Sequence, residues 1–201
     1  MASGFRYGAP GPGAVHLCVD MQRVFGPGSA WNMPWMEQRL PNVMRLAEAH
    51  PERTVFTRFI PPARLEEAQG NWLPYYQKWP QMLGESLDPD WLRLTPELER
   101  LVPPARVFDK PVYSPWISGA LHRLLREGGI DTLIVSGGET DVCVLATVMG
   151  AVDLGYRVIL VSDATCSSAD EGHDAALSIY ASRFGQQIES VTTDQVLACW
   201  F

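Results

Sequence analysis

The chain has 201 residues and a net charge of -7, and 46% of its residues are hydrophobic. These values are typical of one globular domain, and the acidic balance argues against a nucleic-acid partner because phosphate binding requires basic residues. No apolar stretch approaches the roughly 20 residues that span a bilayer, and the N-terminal segment lacks the apolar core of a signal peptide. We therefore expect a single domain over residues 1–201, with neither a nucleic-acid nor a membrane partner.

The four cysteines are widely spaced and form neither a CxxC motif nor a dense disulfide framework. They are Cys18, Cys143, Cys166 and Cys199. Free thiols in a reducing compartment are the simplest interpretation of this spacing, so we expect a cytoplasmic protein.

Strand-like and helix-like runs alternate along the chain. Short apolar or β-branched runs predict strands at 14–20, 53–58, 106–110, 132–137, 157–163 and 187–191. Apolar residues at helical spacing predict helices at 35–50, 118–127, 141–154 and 169–184. This alternation is typical of right-handed βαβ units. We therefore expect a Rossmann-like α/β fold with three layers (αβα), in which helices cover both faces of a mostly parallel, roughly six-stranded sheet.

One stretch interrupts this alternation. Residues 59–94 are rich in aromatic residues and proline, and 70–80 read Gly-Asn-Trp-Leu-Pro-Tyr-Tyr-Gln-Lys-Trp-Pro. A connection of this length inside a compact domain is uncommon and often serves as a lid or binding loop. A subunit interface and a surface loop held down by its tryptophans are the alternatives. We therefore describe 59–94 as an aromatic-rich lid or interface insertion.

Polar residues stand at the ends of several predicted strands. Asp20 ends the first strand, Lys110 the third and Asp163 the fifth, while Gly137 and Cys143 follow the fourth. Taken alone, Asp20 is typical of a helix cap and Lys110 of a solvated charge. However, the carboxyl ends of parallel strands meet at one edge of a sheet, where ligands bind. We therefore expect these side chains to form one site.

The chemistry of a thiol explains why Asp20, Lys110 and Cys143 belong together. A thiol with a pKa of about 8.5 is a poor nucleophile at neutral pH, and a helix N-terminus or a nearby ammonium stabilises its thiolate. A carboxylate within reach takes the thiol proton, and the ammonium keeps that carboxylate charged. The backbone N–H groups at the bend before Cys143 would form an oxyanion hole, with Gly137 and Gly138 letting the chain orient them.

Competing sites have weaker signals. Cys166 also follows a predicted strand end, but it lacks the two-glycine bend and a clear helix start, so Cys143 is the preferred nucleophile. Of the four histidines only His173 is near the same edge of the sheet, and we interpret it as structural. The chain has no GxGxxG fingerprint, no GxxxxGKS/T phosphate loop and no HExxH motif.

Five short segments form a specific combination of motifs. They are Val-Asp-Met-Gln-Arg-Val-Phe at 19–25, Val-Phe-Asp-Lys at 107–110, Ser-Gly-Gly-Glu-Thr-Asp-Val-Cys-Val at 136–144, Asp-Leu-Gly-Tyr-Arg-Val at 153–158 and Ser-Asp-Ala at 162–164. Together they closely resemble the isochorismatase-like cysteine hydrolases. That superfamily includes nicotinamidases, N-carbamoylsarcosine and ureidoacrylate amidohydrolases, and biuret hydrolases. The resemblance extends over roughly residues 15–191.

The resemblance implies the isochorismatase-like hydrolase fold and a catalytic triad of Asp20, Lys110 and Cys143. It also implies a cis peptide bond before Glu139, which would place the N–H of Glu139 beside that of Cys143 as the oxyanion hole. Members of the superfamily usually form dimers or tetramers, so the resemblance implies a homodimer or homotetramer.

Two departures limit what the resemblance implies. Nicotinamidases of the superfamily hold a metal with a DxH motif and a further histidine after the second strand, whereas this chain reads Thr-Arg-Phe-Ile-Pro-Pro at 57–62. We therefore expect no metal and no other cofactor, and nicotinamidase activity is disfavoured. Isochorismatases proper cleave a vinyl ether without depending on the cysteine, so the presence of Cys143 argues against that activity.

These observations predict hydrolysis of a C–N bond in a small amide or ureido substrate through a thioester on Cys143. Phe25, Tyr113 and Trp116 flank the triad segments and are candidate walls of the substrate pocket. Arg58, at the end of the second strand, is a candidate for orienting an anionic substrate. A vinyl-ether hydrolase, a non-catalytic interaction protein and a phosphate-binding α/β module are the alternatives.

Overall fold

The computed structural model describes residues 4–201, and within them it contains one six-stranded, all-parallel β-sheet. The strands lie in the order β3-β2-β1-β4-β5-β6 across the sheet. Their bounds are β1 Ala14–Val19, β2 Thr54–Phe59, β3 Arg106–Lys110, β4 Thr132–Gly138, β5 Arg157–Cys166 and β6 Ile188–Val191. The predicted parallel sheet is confirmed, and each predicted strand corresponds to an observed one with small differences at the ends.

Seven α-helices accompany the sheet within residues 4–201. They are α1 Met36–Ala49, α2 Trp72–Lys78, α3 Pro96–Glu99, α4 Ala120–Glu127, α5 Cys143–Asp153, α6 Asp170–Arg183 and α7 Thr193–Leu197. Buried residues of α1, α3 and α7 join one hydrophobic cluster, and those of α4, α5 and α6 join a second cluster across the sheet. The three predicted layers are therefore present. None of the helices in the described part of the chain is long and apolar enough to cross a membrane.

Side chains of the central strand β1 alternate between these two clusters. Ala14 and Cys18 pack into the cluster that contains α1, whereas Val15, Leu17 and Val19 pack into the one that contains α5. Every residue of the strand is buried, as expected for parallel strands covered by helices on both faces. This burial explains why β1 reads as a continuous apolar run.

Three short helices were not predicted from the sequence. α2 lies inside the 59–94 insertion and includes Pro74, which a helix tolerates in its first turn. α3 and α7 have four and five residues, too few for a periodic pattern to emerge. α7 begins with a capping box in which Thr192 and Gln195 satisfy each other's backbone N–H groups.

The strand order changes direction at β1, which pairs with β2 on one side and β4 on the other. In open parallel sheets such a point leaves a crevice at the carboxyl ends of the strands, where ligands bind. Val19 of β1 lies opposite Gly137 of β4. A Cβ atom on Gly137 would lie 2.1 Å from the Val19 carbonyl oxygen, and the φ of 102° also favours glycine. Gly137 therefore lets β1 and β4 approach closely, a role beyond the flexible bend predicted from the sequence.

Candidate active site

Asp20 and Lys110 form a buried ion pair at the carboxyl ends of β1 and β3. Lys110 Nζ lies 2.6 Å from Asp20 Oδ2, and each side chain is only 1% exposed. Thr57 of β2 donates a 2.6 Å hydrogen bond to Oδ1, so both oxygens of the carboxylate have a partner. Lys110 also donates to the Val112 carbonyl at 3.2 Å. The order of neighbouring strands thus brings together three side chains from distant parts of the sequence.

The backbone of Asp20 adopts a left-handed conformation. Its φ is 50°, the one positive value among the non-glycine residues of the described chain. Asp tolerates this region better than most residues, and such conformations concentrate at functional sites. The Asp20 N–H donates to the Thr57 carbonyl at 3.2 Å, and Gln22 N–H donates to the Asp20 carbonyl at 2.8 Å. These bonds fix the turn that directs the carboxylate toward β3.

Cys143 is the first residue of α5, so it lies in the first turn as predicted, although the helix was expected to start at residue 141; Cys143 is 6% exposed. Burial raises the pKa of its thiol well above the ordinary range, the charge of Asp20 raises that pKa further, and the Lys110 ammonium opposes both. The carboxylate and the ammonium are therefore both close enough to act on the sulfur. Desolvation disfavours the charged form of the thiol and outweighs the ammonium.

The charge state of Lys110 depends on its partners. Burial alone would lower the pKa of Lys110, but Asp20, followed by Cys143, outweighs burial, and the pKa is raised. The Phe59 ring adds a cation–π contact, with Nζ 5.4 Å from the ring centroid. The Asp20 carboxylate accepts hydrogen bonds from Thr57 and Lys110.

The segment between β4 and α5 carries the groups predicted to bind an oxyanion. The Gly138–Glu139 peptide bond is cis, as the resemblance implied. The Glu139 carbonyl accepts hydrogen bonds from the N–H groups of Val142 and Val144. By contrast, the N–H groups of Glu139 and Cys143 donate to no backbone group among residues 4–201. Two backbone donors at this bend are therefore free to bind a ligand oxygen.

Cys166, the alternative candidate for the nucleophile, packs against this bend. It is the last residue of β5 rather than a residue beyond the strand, and it is fully buried. A Cβ atom on Gly138 would lie 2.4 Å from Met33 Sδ and 2.9 Å from Cys166 Sγ, so the second glycine is required by packing. Burial raises the pKa of Cys166 to about 12. Neither Asp20 nor Lys110 acts on that pKa, which separates the two thiols.

Other polar residues near the edge hold the surrounding loops. His173 Nδ1 lies 2.8 Å from Thr140 Oγ1, and burial lowers the pKa of the imidazole. Asp163 accepts hydrogen bonds from the N–H and the hydroxyl of Thr193, at 2.7 and 2.9 Å. The structure therefore places Asp163 at the start of α7 and away from the ion pair. Ser167 donates to Asp141 at 2.6 Å, which ties the bend to the end of β5.

A cavity of about 290 Å³ opens onto Cys143. Its walls come from the loop after β1, the end of β2, the insertion, the loop after β3 and the bend before α5. The lining residues are Phe25, Ala30, Trp31, Asn32, Phe59, Tyr75, Trp79, Tyr113, Glu139, Val142, Cys143 and Ser168. This volume suits a small molecule, and half of the lining residues are aromatic.

The four residues predicted to contact substrate divide into two pairs. Phe25 and Tyr113 line the cavity. Trp116 lies outside it, because its ring packs on Gly150 and its Nε1 donates to the Thr147 carbonyl at 2.8 Å. Arg58 is also outside it and forms a two-pronged ion pair with Asp109, at 2.7 and 2.8 Å. Side chains alternate along β2, so Arg58 points to the face opposite Thr57 and Phe59.

Several lining residues were not identified from the sequence. Trp31 and Asn32 follow β1 in a loop without a recognisable motif, and Tyr75 and Trp79 come from the insertion. The density of aromatic residues at 70–80 was the available signal, and it did indicate a pocket role as one of three interpretations. Thr57 was also missed, because its hydrogen bond to Asp20 depends on how β1 and β2 are aligned.

The insertion also borders a second cavity, of about 760 Å³, beside the edge strand β3. Trp72 and Tyr76 of α2 line this second cavity, while Tyr75 of the same helix lines the first. Trp72 packs against Tyr113, with ring centroids 4.9 Å apart. α2 therefore forms a partition between the two cavities, and one of its faces borders the cavity of Cys143.

The last three residues of β2 do not fit the metal site that the resemblance associates with nicotinamidases. Thr57 binds Asp20, Arg58 binds Asp109, and Phe59 lines the cavity with an aromatic ring. Within residues 4–201 there is no group of three or more His, Cys, Asp or Glu side chains arranged to hold a metal ion. No chemical step is therefore assigned to a metal here.

The similarity to known proteins covers most of the chain. Residues 14–192 match the family model for the Isochorismatase domain. The chain is 28% identical over 181 residues to the uncharacterized isochorismatase family protein YwoC of Bacillus subtilis (strain 168), and the matched region covers 90% of each chain. It is 37% identical over 93 residues to the ureidoacrylate amidohydrolase RutB of Methylobacterium radiotolerans, covering 46% of this chain and 34% of that protein.

The fold has close counterparts among solved structures. A cysteine hydrolase from Pseudomonas syringae pv. phaseolicola 1448A has a TM-score of 0.79 and 25% identity, covering 96% of this chain and 97% of that chain. The shared fold agrees with the family match over residues 14–192. This chain therefore belongs to the isochorismatase family.

Proposed function

We propose that this protein is a cysteine-dependent hydrolase that cleaves the C–N bond of a small amide or ureido substrate through a thioester. The observation that carries the proposal is the buried ion pair of Asp20 and Lys110, which acts on Cys143 at the border of a small cavity. A buried ion pair is costly to desolvate and is weak evidence for stability, so a catalytic reason for keeping it is favoured.

The first step is attack by sulfur on the substrate carbonyl carbon. The Cys143 thiol is neutral at rest, so a base must take its proton as the S–C bond forms. Asp20 takes that proton and becomes a neutral acid. Lys110 holds the carboxylate ionised until then and compensates the charge that develops on sulfur.

The carbonyl oxygen becomes negatively charged as sulfur adds. The N–H groups of Glu139 and Cys143, which have no backbone acceptor among residues 4–201, bind this oxygen. Removing one such donor from an enzyme typically lowers kcat by about 10² to 10³. The N-terminal position of Cys143 on α5 adds the favourable end of the helix dipole.

Collapse of the intermediate breaks the C–N bond and leaves a thioester. Neutral Asp20 donates its proton to the departing nitrogen, which leaves as ammonia or an amine. Asp20 then takes a proton from a water molecule that attacks the thioester carbonyl. The C–S bond breaks, the proton returns to sulfur, and the acid product leaves.

Two features of the relatives and of the chain support this choice of chemistry. The chain is similar to a protein named as a ureidoacrylate amidohydrolase, and this similarity favours an amide or ureido C–N bond as the bond that is cleaved. The lack of a fitting metal site around Thr57 and Arg58 leaves carbonyl activation to the backbone donors. We propose that the enzyme uses no metal and no other cofactor.

We also propose a cytoplasmic location and a homodimer or homotetramer. All four cysteines are free thiols in the described chain, which suits a reducing compartment. The edge strand β3 leaves Val107 37% exposed, and an uncovered strand edge is a common site of association. Light scattering on a size-exclusion column measures the assembly, and a monomer at micromolar concentration contradicts that part of the proposal.

The deciding experiment measures ammonia release from a panel of small amides and ureido compounds. We expect Cys143→Ala to lose at least about 10³-fold in kcat, because it removes the nucleophile. Cys166→Ala, which removes a neighbouring buried thiol, is the matched control and should keep most of the activity.

Two outcomes contradict the proposal. Ammonia release that survives Cys143→Ala unchanged removes the covalent mechanism. Failure of the wild-type protein to hydrolyse any compound of the panel, while it remains folded by circular dichroism, favours a different reaction or a non-catalytic role.

A further inference from the structure

Half of the residues that border the cavity of Cys143 are aromatic. The six rings are Phe25, Trp31, Phe59, Tyr75, Trp79 and Tyr113. Trp31 is the central one, because it stacks on Phe25 at 6.2 Å and meets Phe59 edge to face at 5.8 Å. The negative faces of such rings attract cations, and the donors that these residues could offer a carboxylate are neutral N–H and O–H groups.

Glu139 is the one residue with a full charge among the twelve that line this cavity in the described chain. Its Oε1 accepts a hydrogen bond from the Ser168 N–H at 3.1 Å, which fixes the carboxylate at the cavity wall. The pKa of Tyr113, which also lines the cavity, is raised first by burial, then by Cys143, and also by the charge of Glu139. The charge of Glu139 therefore reaches a second lining residue.

No Lys, Arg or His lines the cavity within residues 4–201. Two ammonium groups lie 5.4 Å from the centroids of lining rings, Lys110 over Phe59 and Lys78 over Trp79. Lys110 is buried and paired with Asp20, and Lys78 is an exposed side chain outside the lining. The Arg58 guanidinium donates two hydrogen bonds to Asp109 on the other face of the sheet. With Asp20 and Glu139 negative and Lys110 positive, the centre carries one excess negative charge.

We propose that this cavity selects amide substrates whose remaining part is uncharged or cationic, and that it rejects substrates bearing a second, anionic group such as a carboxylate. The inference rests on the proposed amidase function and adds the charge of the substrate to it. A carboxylate would lose its water among aromatic walls and gain no cation, while Glu139 repels it. A cation would face both the rings and Glu139.

Three amides of matched length test the selection. They are succinamate, which is anionic, succinamide, which is neutral, and 3-(trimethylammonio)propanamide, which is cationic. We expect kcat/KM for succinamide and for the cation to exceed that for succinamate by at least about 100-fold. Equal or faster hydrolysis of succinamate overturns the inference while leaving the proposed amidase function intact.

Glu139→Gln isolates the charge at the wall, because glutamine keeps an oxygen that accepts the Ser168 N–H. We expect the ratio of kcat/KM for succinamide to kcat/KM for succinamate to fall roughly tenfold in this variant. Glu67→Gln is the matched control, because Glu67 also accepts one backbone N–H, from Ala63 at 3.1 Å, but borders the second cavity. If this ratio is the same in wild type and in Glu139→Gln, the charge of Glu139 does not contribute to the selection.

Binding to Cys143→Ala separates this inference from the proposed chemistry. Isothermal titration of the three amides into this variant reads the charge preference without turnover. If wild type hydrolyses none of them but the variant binds the neutral and cationic amides more tightly than succinamate, the chemistry fails and the selection stands. If succinamate binds as well as the others, or if none of the three binds, the inference is wrong.

Discussion

Two regions of the site are built in different ways. The strand-end cluster consists of Asp20, Thr57, Lys110 and Cys143, all of which are buried and three of which end or follow strands of one sheet. The aromatic wall consists of the six rings that line the cavity, and they come mainly from loops and from the insertion. The groups proposed to react thus lie at the edge of the sheet and at the start of α5, whereas the proposed binding surface lies on segments more easily altered.

The two regions also differ in how their residues are held. The strand-end cluster depends on charge pairing and close backbone approach, with the Lys110 ammonium 2.6 Å from the Asp20 carboxylate. The aromatic wall depends on ring contacts between half-buried side chains, such as Trp31 against Tyr75 at 6.1 Å. We expect substitutions in the cluster to cost both stability and chemistry, and substitutions in the wall to cost mainly affinity.

The largest expected effect comes from Lys110→Met, which leaves the buried Asp20 carboxylate without its cation. We expect a loss of about 3–5 kcal/mol in the free energy of unfolding, because an unpaired buried charge is strongly destabilising. We also expect at least about 10³-fold lower kcat in the folded fraction, since Asp20 loses the cation that supports transfer of the thiol proton. Urea denaturation and ammonia release measure the two effects.

The double variant Asp20→Asn with Lys110→Met separates the two effects. Asparagine tolerates the φ of 50° at this position and removes the unpaired charge. The double variant should regain most of the lost stability and none of the lost activity. If Lys110→Met alone is as stable as wild type, the strand-end cluster is not held by its charges, and the contrast with the aromatic wall fails.

The next effect comes from the close approach of β1 and β4. In Gly137→Ala the new Cβ would lie 2.1 Å from the Val19 carbonyl oxygen, at a φ of 102°. We expect a loss of at least about 4 kcal/mol in the free energy of unfolding, since neither backbone can move without disturbing the sheet. Urea denaturation at constant pH measures it.

Gly155→Ala is the control for the conformational part of that loss. Gly155 also has a positive φ, of 81°, but its Cβ would meet nothing within 4 Å. About 1–2 kcal/mol is expected there from the left-handed backbone alone. Equal losses in the two variants would mean that contact between β1 and β4 contributes nothing beyond backbone conformation.

The same contrast explains what sequence reasoning found and missed. Asp20, Lys110 and Cys143 could be identified because the ends of parallel strands converge whatever the details of packing. The fold followed from the alternation of apolar runs and helical patterns. Trp31 and Asn32 could not be identified, because their place in the cavity depends on the path of a loop with no periodic signal.

One sequence interpretation failed for a reason of direction. Arg58 lies next to the last residue of β2, but the alternation along the strand sends its side chain to the other face, where Asp109 binds it. The burial of Cys143 was also not readable from residue types, and burial is the main cause that raises the pKa of its thiol. Both the direction of Arg58 and the burial of Cys143 require the register of the sheet and the cover above it.

The smallest expected effect tests the aromatic wall. Trp79→Leu removes a ring that borders the cavity but keeps an apolar side chain. We expect KM for a good amide substrate to rise about fivefold, as loss of one aromatic contact costs roughly 1 kcal/mol, while kcat changes less than about threefold. Trp91→Leu, in the same insertion but bordering neither cavity, should leave KM unchanged. If Trp79→Leu instead lowers kcat with KM constant, the wall takes part in the transition state, and the division between a reactive sheet edge and a binding surface does not hold.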